Sequence, residues 1–588
     1  MSRDTPWLIA LPAQNHRSAP EHFHTVTDTL LHSPNVTSSL LFRAEILYDS
    51  RTDHSASWDQ LTGFSSDFVP HMKAELHPRA LRRDIPDGLC LAALSCQFEN
   101  KFPLSWQWQR TVIRKLIPRN PERDKALVQT CWYFDSRSDH GAELSSSDSK
   151  GESVPVTNQV VRHLVIYIPH VDNVDQVPFF HPAIQGLAML YSWVPTPAEP
   201  NLCEDSTSLT SGGAGDMQIL YSYFTGTQPT TRLSRTALNL QGTIVKHMAG
   251  RAAGYVKRVH HDQVVPQKDF QDTYTRLKLK YAKDLVKDWV EKTDPAKHVF
   301  EDLGIAAFLI ELWKRMYQND EQFPGFVDIG CGNGLLVYLL RSEGYEGWGF
   351  DVRKRKTWDA LPQEIVSDSL KEMVCVPKIL QDAWKAPESP RSSQDFALDF
   401  HDGSFPEGTF IVSNHADELT AWTPLLASMA GCPFVAIPCC SHDFGGNKFR
   451  APTAGSLKST AAEFGAKDDK TVEQPRRGVE TGVLTKRDTK QPSAYAALCI
   501  WLEQLTAAVG FVAEKEMLRI PSTRNTAILG RKWLAPQNTL DIPSSRSEKI
   551  EELVREILEK QMSSDINSIA TDWIERAKKI ATTKSSGH

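Results

Sequence analysis

Phe326-Val327-Asp328-Ile329-Gly330-Cys331-Gly332-Asn333-Gly334 is the stretch on which the fold turns. An apolar run with one acid reads as a strand, the alternate glycines as a turn, and Leu335–Arg341 as the helix that follows. Glycines let the chain turn sharply and let a ligand approach the backbone without meeting a Cβ, and the helix start adds inward-pointing N–H groups. About twenty residues on, the spacing such folds use, Gly347-Trp348-Gly349-Phe350-Asp351 reads as a second strand ending in an acid. A carboxylate there can accept both hydroxyls of a ribose.

The turn is D-I-G-C-G-N-G and not G-x-G-x-x-G. An acid before the first glycine suits the amino-acid end of S-adenosylmethionine and is unsuited to a pyrophosphate. The reading is an α/β, Rossmann-like class I S-adenosylmethionine-dependent methyltransferase domain. Its expected donor-binding residues are Asp328, Gly330, Gly332, Asn333, Gly334, Asp351 and Asn414. On these residues alone, a dinucleotide site or a tight turn without ligand stays open.

Further along, Thr409–Ser413 reads as a strand and runs into Asn414-His415-Ala416-Asp417-Glu418-Leu419-Thr420. Ligands in open α/β sheets lie at the carboxyl ends of strands. Asp417 and Glu418 are therefore candidate catalytic groups, the alternative being acids that cap a helix. Pro433–Pro438 is a buried strand that ends in Cys439-Cys440-Ser441-His442-Asp443-Phe444. Adjacent cysteines are poorly placed to share one tetrahedral ion, so packing and a polar strand end are the reading, and no metal is assigned. Gly510–Ile520 and Asn525–Arg531 close the sheet.

Upstream, Phe270, Tyr274, Leu277, Tyr281, Leu285 and Trp289 recur at helical spacing, and a second helix carries Ile305, Phe308, Leu309, Leu312 and Trp313. Leu127–Phe134 and Val160–Ile168 are strand-like, so the first 240 residues read as a mixed α/β domain. Ser136–Asn158, Pro195–Asp216 and Ala451–Ser493 hold too few apolar side chains to pack. The expected division is 1–240, a helical basic connector 241–298, a catalytic domain 299–535 with an insertion at 451–493, and a helical tail 536–588.

Two large domains suit 588 residues. A net charge of −6 gives no global attraction to nucleic acid. Local basic stretches exist: nine Lys or Arg against three Asp in 246–283, and six against two acids in 110–125. Each alone reads as a solvated surface; two ahead of such a domain make phosphate contact plausible. The ten scattered cysteines read as reduced thiols. No secretory signal and no membrane span is expected, because Ala494–Ala513 is interrupted by Glu503 and Gln504 and reads as a buried helix and a strand start.

Asp328–Gly334, Asp351–Trp358, Asn414–Thr420, Pro438–Phe444 and Leu518–Asn525 together resemble the tRNA (uracil-2′-O)-methyltransferases that act on uridine 44 of serine tRNA. Lys297–Ala307 and Leu116–Asp124 are similar to the same family, so the resemblance runs from about residue 100 to 535. It implies a cytoplasmic enzyme that moves a methyl group from S-adenosylmethionine to a ribose 2′-hydroxyl of tRNA. It names no protein partner. It also implies RNA contact through Lys278, Lys280, Arg353 and Arg524. Some ribose methyltransferases of this fold use a Lys–Asp–Lys–Glu set. By order along the chain, Asp417 would be its acid and Lys448 its second lysine. Glu514 or Glu516 would be the last carboxylate, and Lys278 or Lys280 the first lysine. A methyltransferase-like subunit that binds RNA or a partner without catalysis, or an enzyme for another RNA, remains the alternative.

Overall fold

The computed structural model describes residues 7–52, 106–140, 158–195, 213–255, 261–318, 322–384, 400–452, 492–533, 543–562 and 565–582. Most of the three segments expected to be unpacked lies outside these residues. The chain forms two compact units that divide at residue 257/258. The boundary expected at 240 is therefore too early: it falls within a single helix that packs in the first unit.

The first unit holds strands β1 (Trp7–Ile9), β2 (Gln14–His16), β3 (Leu41–Asp49), β4 (Gln107–Pro118), β5 (Leu127–His140), β6 (Asn158–Pro169), β7 (Gly186–Pro195) and β8 (Gly213–Ser222). They pair antiparallel in the order β1-β8-β7-β6-β5-β4-β3, with β2 also on β8. Helices α1 (Pro20–His32) and α2 (Thr231–Ala252) lay Phe23, Leu31, Leu233 and Ile244 on one face of the sheet, against Cys131, Val165, Met189 and Ile219. The basic run 110–125 is no continuous surface patch. Arg110 is buried between Asp28 and Asp49, and buried Arg114 bonds Gln129 and the carbonyls of Leu30 and Leu31.

The second unit opens with α3 (Gln267–Lys287) packed on α4 (Pro295–Met316). The stretch expected as a connector thus ends the first unit and begins the second. Its sheet comprises β9 (Phe326–Ile329), β10 (Gly347–Asp351), β11 (Leu370–Glu372), β14 (Phe410–Asn414), β15 (Phe434–Ile437), β16 (Phe511–Met517) and β17 (Thr526–Trp533). A separate two-stranded pair joins β12 (Val374–Cys375) to β13 (Phe400–His401). The main sheet runs β11-β10-β9-β14-β15-β17-β16, parallel except for β17, which is antiparallel to both neighbours. Helices cover both faces, because alternate residues of one strand point opposite ways: Phe410 and Val412 into the core with α4, and Ile411 into the other. The expected α/β domain is present. Its strand order reverses between β9 and β14, where an open sheet holds its ligand.

The other helices are α5 (Leu335–Ser342), α6 (Lys356–Ala360), α7 (Gln363–Val366), α8 (Lys378–Trp384), α9 (Thr423–Ala430), α10 (Ala494–Ala508), α11 (Pro543–Gln561) and α12 (Ile566–Thr582). The last two are not an appended tail. Val554, Leu558, Ile569, Ala570 and Trp573 are buried in the same core as Ile329, Trp422 and Trp501, and Trp573 Nε1 donates to the Cys375 carbonyl at 3.0 Å. Amphipathic spacing in a charged sequence reads as a solvated helix until its apolar stripe meets a partner. No helix among the described residues is long and apolar enough to cross a membrane.

Candidate active site

The turn after β9 is tied down at every point that side chains reach. The N–H groups of Gly330 and Cys331 both donate to the Phe350 carbonyl at 2.9 Å. Trp358 Nε1 donates to the Gly332 carbonyl, and Asn333 Oδ1 accepts from Leu335 N at the start of α5. Asp351 accepts from Gly332 N through Oδ2 at 3.0 Å and from Arg353 N through Oδ1 at 3.1 Å. The two glycines that matter most differ. A Cβ on Gly334 would strike Leu370 at 2.6 Å, whereas one on Gly332 would meet nothing within 4 Å and would project into open space. Both have positive φ.

That space is a cavity of about 820 Å³ lined by Asp328, Gly330, Gly332, Asn333, Asp351, Arg353, Asn414, Asp417 and Glu418, among others. It therefore brings together most of the residues expected to bind the donor and to catalyse. Gly330 and Ala416 explain why: a Cβ on Gly330 would lie 3.2 Å from that of Ala416, so the two strand-end turns touch. His415 and Asp417 both have positive φ, at 56° and 45°. L-residues hold that conformation only when the surroundings impose it, and such residues gather at functional sites.

Seven acids and six Lys or Arg line the cavity, and burial perturbs three of the acids. Asp328 is 1% exposed and its Oδ1 has no hydrogen-bond partner; Asn414 Oδ1 is likewise buried and unpartnered. Burial, with the charges of Asp302 and Asp351, holds the Asp328 carboxyl well above the usual range. Burial and neighbouring Glu301 push Asp302 up to about 7, and burial raises Asp351. Unpaired buried acceptors are costly, so Asp328 and Asn414 suit a ligand that brings hydrogen-bond donors.

Glu301 and Asp302 were not singled out in the sequence, and His415 was read only as part of the Asn414–Thr420 cluster. His415 Nδ1 donates to the Ile437 carbonyl at 3.1 Å, and its Nε2 faces Glu301 Oε1 at 3.2 Å. Burial would raise the Glu301 carboxyl, but the hydrogen bond and charge of His415 hold it below its ordinary value. The detectable signal was three acids, Glu301, Asp302 and Glu311, inside an otherwise apolar helical stretch, Val299 to Trp313. Arg576 of α12 also lines the cavity, with Nη1 3.7 Å from Glu418 Oε1, and no sequence signal marked it. Cys439 Sγ donates to Asp417 Oδ1 at 3.0 Å, and burial with that carboxylate raises the thiol. The Asp417, Cys439 and Cys440 ligand atoms lie within 4.8 Å of one another.

Seven expected residues fall outside the cavity wall, Gly334 among them. Lys448 is exposed on a chain reversal, bridged to His442, because Asp443 accepts from Gly445 N and Asn447 N and turns the chain back. Glu514 pairs with Arg531. Glu516 accepts from the N–H groups of Asp262, Gln263 and Val264, which fastens the segment before α3. Lys280 pairs with Glu343, so the Lys–Asp–Lys–Glu set is not assembled. Lys278 Nζ sits over the Phe300 ring at 5.4 Å, and the Arg524 guanidinium lies over the Tyr495 ring at 4.4 Å. Of the four expected RNA contacts, only Arg353 lines the cavity.

Residues 2–258 match a family model described as a TRM44-like, N-terminal bet v1-like domain, and residues 264–377 one described as a predicted AdoMet-dependent methyltransferase. Among curated proteins, a tRNA (uracil-O(2)-)-methyltransferase of Neurospora crassa is 43% identical over 89% of this chain and 86% of its own length. The Aspergillus oryzae protein of that name is 36% identical over 95% of this chain and 90% of its own. The one from Saccharomyces cerevisiae is 34% identical over 87% and 84%. No solved structure matches.

Proposed function

The chain belongs to the tRNA (uracil-O(2)-)-methyltransferase family, and from that premise we propose that it methylates a ribose 2′-hydroxyl of a tRNA uridine, at position 44 of serine tRNA. The methyl donor is S-adenosylmethionine. The residues present fit it. Gly332 leaves its Cβ space open, and Asp328 and Asn414 offer unpartnered oxygens to a molecule carrying an ammonium. The cavity lies within the roughly 300–1,000 Å³ of ordinary ligand sites.

The single observation that carries the reading is the contact of Gly330 with Ala416, which sets the Asp417–Glu418 turn beside the donor turn. Bound there, S-adenosylmethionine supplies a methyl group already activated on sulfur. The chain then has to hold the hydroxyl in line and accept its proton, and positioning supplies most of the gain. Asp417 is the acceptor in this reading. Glu418 stands next to it, steadied by Arg576. Arg353 and Arg576, on the cavity wall, meet the RNA backbone.

The test is mass-spectrometric mapping of ribose methylation in tRNA from cells lacking the enzyme, after treatment with the purified chain and donor. New 2′-O-methyluridine at position 44 of serine tRNA is the expected result. Methyl groups elsewhere assign another substrate. Binding of donor and tRNA with no transfer, even with cell extract added, assigns a non-catalytic role.

A further inference from the structure

One aromatic pair at the cavity has no part in the methyl-transfer steps above. His298, in the first turn of α4, lines the cavity together with Glu291, Lys292 and Thr293 from the segment before that helix. It stands one turn before Glu301, so the two share a helix face, and Glu301 reaches the Asp417 turn through His415. Trp289 backs the imidazole: the two rings are stacked, with planes 6° apart and centroids at 6.1 Å. One face of the His298 ring is thus covered by indole, and what is exposed of this half-buried residue belongs to the cavity wall. Among the described residues no group forms a hydrogen bond to its ring nitrogens.

The segment that carries Trp289 is held at several points. Trp289 Nε1 donates to the Thr293 carbonyl at 3.0 Å, and Asp294 caps α4 by accepting from Ala296 N. Glu291 Oε1 accepts from Thr357 N at 3.0 Å and from Thr357 Oγ1 at 2.7 Å, which ties the segment to α6. A surface whose side chains are already ordered loses little freedom when a ring settles on it.

A 2′-hydroxyl and its base hang on adjacent carbons of one sugar. Drawing the hydroxyl to the wall of this cavity therefore takes the base out of the RNA stack, and proteins ordinarily replace that stack with an aromatic side chain. We propose that His298, backed by Trp289, is the shelf on which the target uracil stacks while its ribose hydroxyl meets Asp417. This role rests on the methyl-transfer reading and adds to it the residue that seats the base. Stacking is tolerant of base identity, so His298 governs how firmly the nucleotide is held and not which tRNA is chosen.

The experiment compares the full-length parent with His298→Ala on the tRNA substrate and on the same tRNA lacking only the target base. On intact tRNA the variant should lose roughly 5- to 150-fold in kcat/KM, the usual cost of removing a stacking ring, with Tm and calorimetric donor affinity near parent values. On base-free tRNA parent and variant should be equal. His298→Phe keeps a ring and should restore most of the rate on intact tRNA. A further readout needs no turnover: thiouridine at the target position, irradiated in the complex with S-adenosylhomocysteine, should crosslink within residues 289–298. The proposal fails if His298→Ala costs as much on base-free tRNA as on intact tRNA, if it weakens the donor instead, or if the crosslink maps elsewhere. A parent that methylates tRNA and is matched by His298→Ala overturns this inference alone. A parent that methylates no tRNA overturns the methyl-transfer reading and this inference with it.

Discussion

His415 Nε2 lies 3.2 Å from Glu301 Oε1, a pair formed by residues 114 positions apart and set into the wall of the cavity beside the glycine turn. Glu301 holds the ring of a residue with strained backbone, and so holds the turn that carries Asp417. A hydrogen bond to a charged group contributes about 1.5–3 kcal/mol. Glu301→Gln should lower kcat roughly tenfold or more while leaving calorimetric donor affinity and Tm near parent values. An unchanged kcat would remove the pair from the positioning of the turn.

Asp417→Asn keeps shape and removes the base. Turnover should fall by roughly 10²-fold, the usual size of general-base help, with donor and tRNA still bound. A parallel drop in kcat and kcat/KM marks an interaction made only in the transition state. Glu418→Gln should have the smaller effect, because Glu418 faces Arg576. If Asp417→Asn turns over normally, the proton acceptor lies elsewhere.

Gly332→Val should abolish donor binding, since the added side chain fills space that is empty in the fold. Asp351→Ala removes the acceptor for two backbone N–H groups as well as a ribose contact, and should weaken the donor by about one to two orders of magnitude. Calorimetry reads both. Equal affinity for parent and Gly332→Val would move the donor out of this cavity.

Asp302 makes the site sensitive to pH. Its ordinary value is 3.8, and in the folded chain it rises to about 7. Between these values the folded chain holds a proton that the unfolded chain has released. The stability this contributes is complete at low pH and is lost as pH rises through about 7. Donor-free Tm should therefore decline between about pH 4 and pH 7 and level off above, and Asp302→Asn should flatten that decline. A cationic donor favours the ionised acid, so its affinity should rise over the same interval with release of a proton. Calorimetry in buffers of different ionisation heat reads that proton.

Arg576→Ala should raise KM for tRNA, reduce its salt dependence by about one phosphate contact, and leave donor affinity alone. Trp573→Ala, one turn away and buried, should instead destabilise the whole unit, by about 3–5 kcal/mol for a buried aromatic. If tRNA binding by Arg576→Ala keeps its affinity and salt slope, the arginine serves only Glu418.

The glycine turn was legible because its geometry is local: a strand, three glycines and a helix lie next to one another in the chain. Asp351 was legible by its distance from that turn. Glu301 and Arg576 were not, because they reach the cavity from helices remote in sequence, and nothing in an isolated helix says which face meets a ligand. Lys448 and Glu516 fail for the converse reason. Charge and order along the chain qualified them, but Asp443 reverses the chain at one, and three backbone N–H groups occupy the other. The basic run 110–125 misled because arginine can be a core residue when buried acids and carbonyls receive it.

The burial of α11 and α12 beneath the donor cavity has a consequence for synthesis. Domains ordinarily fold in order as they leave the ribosome, and the first unit can do so. The second cannot close until Val554–Ala577 emerge, because Cys375, made long before, waits for Trp573. A nascent chain therefore exposes the apolar surface that α11 and α12 cover throughout the translation of everything in between. Chaperones that bind such faces should be found on ribosomes stalled within this stretch and should leave once α12 is free.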